Sequence, residues 1–141
     1  MKRIIVFLVL IISTSIIYGQ TQIYQAVSFA YKYRTTSGWG DWSKKIPTKA
    51  KIYLNRATDE VNVDGENPQS FKIQRIIDNG YNKKNDKYIR FQAVDQNGKL
   101  CTIMMIFPTG NKVYSKQIYF IYNEFKIYYN FFDNSNYFDS K

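Results

Sequence analysis

No histidine occurs among the 141 residues, and that absence removes most of the familiar catalytic repertoire. Neither a Ser-His-Asp nor a Cys-His arrangement can be built, nor a zinc site of the ordinary His/Cys kind. Cysteine is represented once, by Cys101, so no internal disulfide can form. A nucleophilic thiol there would lack its base. Cys101 sits in the apolar run Leu100 to Phe107 and reads as a buried, unreactive thiol, with intermolecular pairing as the alternative. Neither G-x-G-x-x-G nor the P-loop pattern appears. Acids are scarce, 11 Asp and Glu against 20 Lys and Arg, and most fall in turn-like stretches where Asp serves the backbone. A glycosidase would need two of them facing each other across a cleft. The acid-rich stretch Asp59 to Glu66 lacks the spacing and closing glutamate of a twelve-residue calcium loop. The chain is therefore read as a non-enzyme with no cofactor and no metal site.

A long apolar run is also missing. Lys2 and Arg3 precede Ile4 to Ile12, and Ser13, Thr14 and Ser15 interrupt before Ile16 to Gln20. That order is the signature of a secretory signal peptide, and it falls short of the roughly 20 apolar residues of a spanning helix. Cleavage is placed after Gly19, with an uncleaved anchor as the alternative. Residues 1–19 are thus read as a signal peptide, 20–133 as one β domain and 134–141 as a frayed tail. The expected location is outside the cytoplasm: periplasm, cell surface or extracellular space. No transmembrane segment is expected after cleavage.

Aromatic residues are abundant, with 13 Tyr and 10 Phe, and they suit pleated, half-buried surfaces. AT-rich codons supply part of that bias. No stretch carries a helical apolar period, whereas short alternating segments recur between turn residues. Strands are expected at Gln22 to Arg34, with Val27, Phe29, Tyr31 and Tyr33 on one face, then at Lys49 to Asn55, Glu60 to Val63 and Gln69 to Ile77. A loop covers Thr35 to Thr48, and Asn79-Gly80 opens another. Further strands follow at Lys87 to Asp95, Lys99 to Phe107, Lys112 to Tyr122 and Phe125 to Phe132. Asn97-Gly98 is a tight-hairpin signal, because both residues tolerate positive φ. The fold class is all-β: an antiparallel meander of about eight strands, forming a small barrel or a two-layer sandwich.

Net charge is +9, two less without Lys2 and Arg3. Such a balance favours anionic partners, but the bases are scattered enough to serve as a solvated surface. Nucleic acid is not expected, since export removes it. The most distinctive segment is Gly38-Trp39-Gly40-Asp41-Trp42-Ser43-Lys44. Its two tryptophans either cap the open end of the β core or present flat faces to a sugar or a protein. In a strand they would point to opposite faces, leaving at most one exposed. Trp39, Trp42, Asp41 and Lys44 form the candidate binding set. The tyrosine series Tyr114, Tyr119, Tyr122, Tyr128 and Tyr129 is read as core or as an exposed aromatic face. Phe29, Phe91, Ile103 and Met105 are the candidate lining of an apolar interior.

Three pieces are similar to a group of small, uncharacterised exported all-β proteins of gut anaerobic bacteria and their phages. They are Trp39, Trp42 and Ser43; Gln69 to Ile73; and Val94 to Gly98 followed by Cys101. The resemblance implies a compact β domain outside the cytoplasm and transfers no activity. In that group a second cysteine precedes the Val-Asp pair, where this chain has Ala93, so a paired-thiol role does not carry over. The expectation is an exported, non-enzymatic β domain binding a protein or glycan at the cell envelope. The alternative is a lipocalin-like carrier of a small apolar ligand.

Overall fold

The computed structural model describes residues 21–108 and 116–131; the signal segment, the tail and Tyr114 lie outside them. Among the described residues ten strands follow one another and no helix occurs: β1 (Thr21–Thr35), β2 (Gly38–Trp39), β3 (Ile46–Pro47), β4 (Lys51–Asn55), β5 (Glu60–Asp64), β6 (Gln69–Tyr81), β7 (Lys87–Asp95), β8 (Leu100–Phe107), β9 (Gln117–Ile121) and β10 (Phe125–Phe131). From β4 to β10 each strand pairs antiparallel with the next, and β1 pairs with both β4 and β10. The sheet therefore closes into an eight-stranded barrel, and β2 and β3 are short additions on β1. Of the two architectures expected, the barrel is the one adopted. Closure also covers the edges of a strongly β-prone chain.

Turn chemistry sets several registers. Asn55 Oδ1 accepts the Ala57 and Thr58 amides at 3.0 and 3.2 Å, with Asp59 at φ 56°. Between β5 and β6 the chain must pass close to Ala50, since a Cβ on Gly65 would lie 3.1 Å from the Ala50 Cβ. Gly98 takes φ 80° but Asn97 does not turn left-handed. The β7–β8 connection is thus not the two-residue hairpin that Asn97-Gly98 suggests. Gly98 N donates to Asp95 O at 3.0 Å and Asp95 N to Lys99 O at 2.9 Å, while Asp95 Oδ1 accepts the Asn97 and Lys99 amides, both at 2.9 Å. A wider turn held by the aspartate side chain is what the sequence builds.

Two departures from simple alternation matter. β1 shifts register between Ala26 and Ser28, so Val27 is an extra, bulged residue. Tyr24 and Ala26 face inward before it, and Phe29 after it; Val27 thus drops out of the shared face with Phe29, Tyr31 and Tyr33 that alternation suggests. β6 shifts twice, between Ile73 and Arg75 and between Ile76 and Asp78. Asn79 and Gly80 pair with Ile89 and Tyr88 inside that strand, and the loop expected there begins only at Asn82.

The core runs down the barrel axis. Phe71 and Phe120 are buried at 2% and 1% exposure and stack at 4.6 Å between centroids, reaching from β6 across to β9. Ile52, Val61, Ile103 and Ile118 pack around them. Cys101 is buried, and burial, then the nearby Asp95 charge, pushes its thiol up to about 12. That fits the unreactive thiol expected.

Candidate functional site

The segment after β1 folds back along that strand. Gly40 N donates to Tyr33 O at 2.9 Å, Ser43 N to Tyr31 O at 2.8 Å and Thr48 N to Val27 O at 3.1 Å. The Tyr31 amide donates to Ser43 Oγ at 3.0 Å. Only Gly38–Trp39 and Ile46–Pro47 are regular strand within this stretch. Because strand geometry lapses at Gly40, Trp39 and Trp42 do not diverge to opposite faces. Both lie against the outer wall of the barrel, and neither belongs to the core cluster. Capping of the barrel end by the indoles is thus replaced by cover of its side.

The wall beneath them is made by outward side chains of β1, β10 and β9. Ala30 pairs with Tyr128, Lys32 with Lys126, and Tyr128 with Tyr119. Tyr119 and Tyr128 stack at 5.0 Å. Trp42 meets both rings near-perpendicularly, with centroids 6.1 and 4.7 Å away. Ala30 faces outward yet is fully buried at 0% exposure; Trp42, edge-on to its cross-strand partner, is placed to cover it. Trp42 itself is 37% exposed. Burial, then Tyr128, pushes the Tyr119 hydroxyl up to about 12.

Cations interleave with the indoles. The Lys32 ammonium lies 4.5 Å from the Trp42 ring and 5.9 Å from the Trp39 ring. Over Trp39 also sit the Arg34 guanidinium at 4.9 Å and the Lys126 ammonium at 4.3 Å. Partial burial, then the charges of Lys32 and Arg34, lowers the Lys126 pKa. Asp41 and Lys44 are exposed at the margin and make no ion pair among the described residues. The sequence pointed to the two tryptophans but not to Lys32, Arg34 and Lys126. Lys32 and Arg34 share an alternating face that was legible, whereas their meeting with Lys126 depends on β1 closing onto β10.

Among the described residues, two cavities open at the ends of the barrel and share no lining residue. One, of about 740 Å³, is walled by Phe29, Ala50, Val63, Ile127 and Tyr129 and rimmed by Lys49, Glu66, Asn67 and Gln69. The other, of about 550 Å³, is walled by Tyr24, Leu54, Ile73, Ile89, Phe91, Met105 and Phe107, with Arg56, Asp59, Arg75 and Lys87 at its edge. Of the four candidate lining residues, Phe29 therefore lines one end, Phe91 and Met105 the other, and Ile103 lies in the solid core at 1% exposure. No single lumen joins them.

Among the described residues no group of acids or cysteine has the geometry to hold a metal ion, and no helix is long and apolar enough to cross a membrane. No family model, curated protein or solved structure matches the chain.

Proposed function

We propose that this barrel is an exported, non-catalytic binding domain that takes a glycan at the cell envelope on the outer-wall platform of Trp39 and Trp42. The observation that carries the reading is Trp42: a large indole outside the core, held edge-on by two stacked tyrosines yet still 37% exposed. A platform fixed before the ligand arrives loses little freedom on binding, and indole faces suit the apolar faces of sugar rings. Lys32 covers part of the Trp42 face and must swing aside. That contact is worth only about 0.5–1 kcal/mol at an exposed site, and the displaced ammonium regains a partner in the ligand's oxygens. The signal-like first segment and the basic balance support a partner in the envelope.

On a glycan array probed with the mature protein, Trp42→Ala is expected to weaken the best hits about tenfold or more while the β-sheet circular dichroism persists. Unchanged binding in both Trp42→Ala and Trp39→Ala would overturn the reading. Capture of a protein in place of any glycan would do the same.

The carrier reading is favoured by one observation. Tyr129, partly buried in the wall of the larger cavity, has its hydroxyl pKa raised by that burial, and its hydroxyl has no hydrogen-bond partner among the described residues. An apolar wall with one such polar group matches the usual anatomy of a small-molecule site. Under this reading N-phenyl-1-naphthylamine brightens on binding, and Ile46→Trp, at an exposed position lining the cavity, weakens that response about tenfold. No brightening with wild-type protein removes the carrier.

A further inference from the structure

Cross-strand neighbours in a stable sheet are commonly of opposite charge, because like charges directly opposite each other destabilise the pair. Lys32 and Lys126 break that rule: they are direct partners in the β1–β10 seam. Arg34 follows two residues along the same face, and its guanidinium and the Lys126 ammonium both lie within 5 Å of the Trp39 ring centre. Among the described residues no acid forms an ion pair with any of the three. Among the described residues the ion pairs are Arg90 with Asp78 and Lys99 with Glu124. Glu124 is the acid nearest to Lys126 in sequence and is held by Lys99 at 2.7 Å. Asp41, between the two tryptophans in sequence, makes no ion pair among the described residues. The indole faces relieve some of the repulsion, but they do not supply the negative charge three convergent cations call for.

We propose that Lys32, Arg34 and Lys126 form a recognition site for a tetrahedral oxyanion ester, phosphate or sulfate, carried on the sugar that stacks at Trp42. The proposal rests on the glycan reading above and narrows its substrate class. A guanidinium offers two parallel N–H donors to such an ester, and the two ammonium groups add point charge from the facing strands. The Trp39 ring beneath them limits how far the three can spread into water. Self-repulsion is relieved only when the anion is seated, so affinity and stability pull in opposite directions at this spot.

Trp39 and Trp42 are the chain's two tryptophans, so intrinsic fluorescence reads the site directly. The mature protein is titrated at constant ionic strength with glucose, glucose 6-phosphate, glucose 6-sulfate and inorganic phosphate. At least one ester is expected to shift the emission saturably and to bind about tenfold or more tighter than glucose; whether phosphate or sulfate wins identifies the ester. Lys126→Glu, which turns a like pair into an opposite pair, is expected to abolish the preference for ester and to raise Tm by about 2–4 °C. Lys126→Arg is expected to keep ester binding. Equal affinity for glucose and both esters overturns the anion site while leaving the glycan reading intact. Inorganic phosphate binding as tightly as the esters supports the anion site and removes support for the glycan. A lower Tm in Lys126→Glu overturns the premise of repulsion, and no response to any probe overturns both.

Discussion

Phe120→Ala is expected to cost about 3–5 kcal/mol of folding stability, roughly a fifth or more of what a domain ordinarily has. Phe120 is 1% exposed, stacks on Phe71 at 4.6 Å and meets the Tyr129 ring edge-on at 6.0 Å. Removing it deletes one half of the aromatic stack joining β6 to β9 and leaves a void that rigid strands on all sides cannot collapse into. Urea denaturation followed by circular dichroism checks the loss. Phe71→Ala should cost a similar amount. The double mutant should lose less than the sum, by roughly 0.5–1.5 kcal/mol, because the two rings share one contact. Tyr33→Ala, at a position 61% exposed, is the control and is expected to fall within about 0.5 kcal/mol of wild type. Additive losses for the two phenylalanines would show that the stack adds nothing beyond area.

Asp95→Ala is expected to cost about 2–3 kcal/mol, since hydrogen bonds to an ionised group are worth about 1.5–3 kcal/mol each and are not additive. The Asp95 carboxylate accepts the Asn97 and Lys99 amides and, at 2.9 Å, the Tyr122 hydroxyl. It thus ties the β7–β8 turn to the end of β9. Partial burial opposes its ionisation, but the Lys99 amide, the Tyr122 hydroxyl and the Asn97 amide outweigh it and hold the carboxyl below its ordinary value of 3.8. A folded-state pKa below the unfolded one stabilises the protein at all pH values above the unfolded value, and the contribution is lost as pH falls through the folded one. Wild-type Tm should therefore drop as pH is lowered below about 4. Asp95→Asn should be less stable at pH 7 and flatter in that acid range. Equal acid slopes in the two proteins would assign the acid sensitivity to other carboxyls.

The all-β meander was legible because alternation and turn residues agree: Lys87 to Asp95 and the Cys101, Ile103, Met105 face stand as read. What escaped was what alternation does not encode. Val27 is bulged, and one inserted residue exchanges the faces of everything after it. Gln74 and Ile77 fall at the two shifts in β6, which let the strand run on through Asn79-Gly80 despite a turn-like dipeptide. At Asn97-Gly98 a local carboxylate, Asp95, outcompeted the tighter turn. The tryptophan segment was visible as a candidate, but its cationic half was not. Lys32 and Lys126 are far apart in sequence and meet only because the first strand pairs with the last. The interior candidates failed to converge because Phe71 and Phe120 occupy the space between the two ends.

That same seam governs the order of assembly. From β4 to β10 every pairing is a local hairpin, while β1 and β10 meet across the whole domain; the Asn130-to-Ser28 hydrogen bond spans 102 positions. Closing a loop of that length costs about 2 kcal/mol more than closing one of ten residues. The hairpins can form early, and the seam must wait for them. Contacts such as Ala30 with Tyr128 are then absent from the transition state, so weakening them should accelerate unfolding and leave the folding rate almost untouched. Until the seam zips, both β1 and β10 are open edges, and the outer-wall platform does not yet exist.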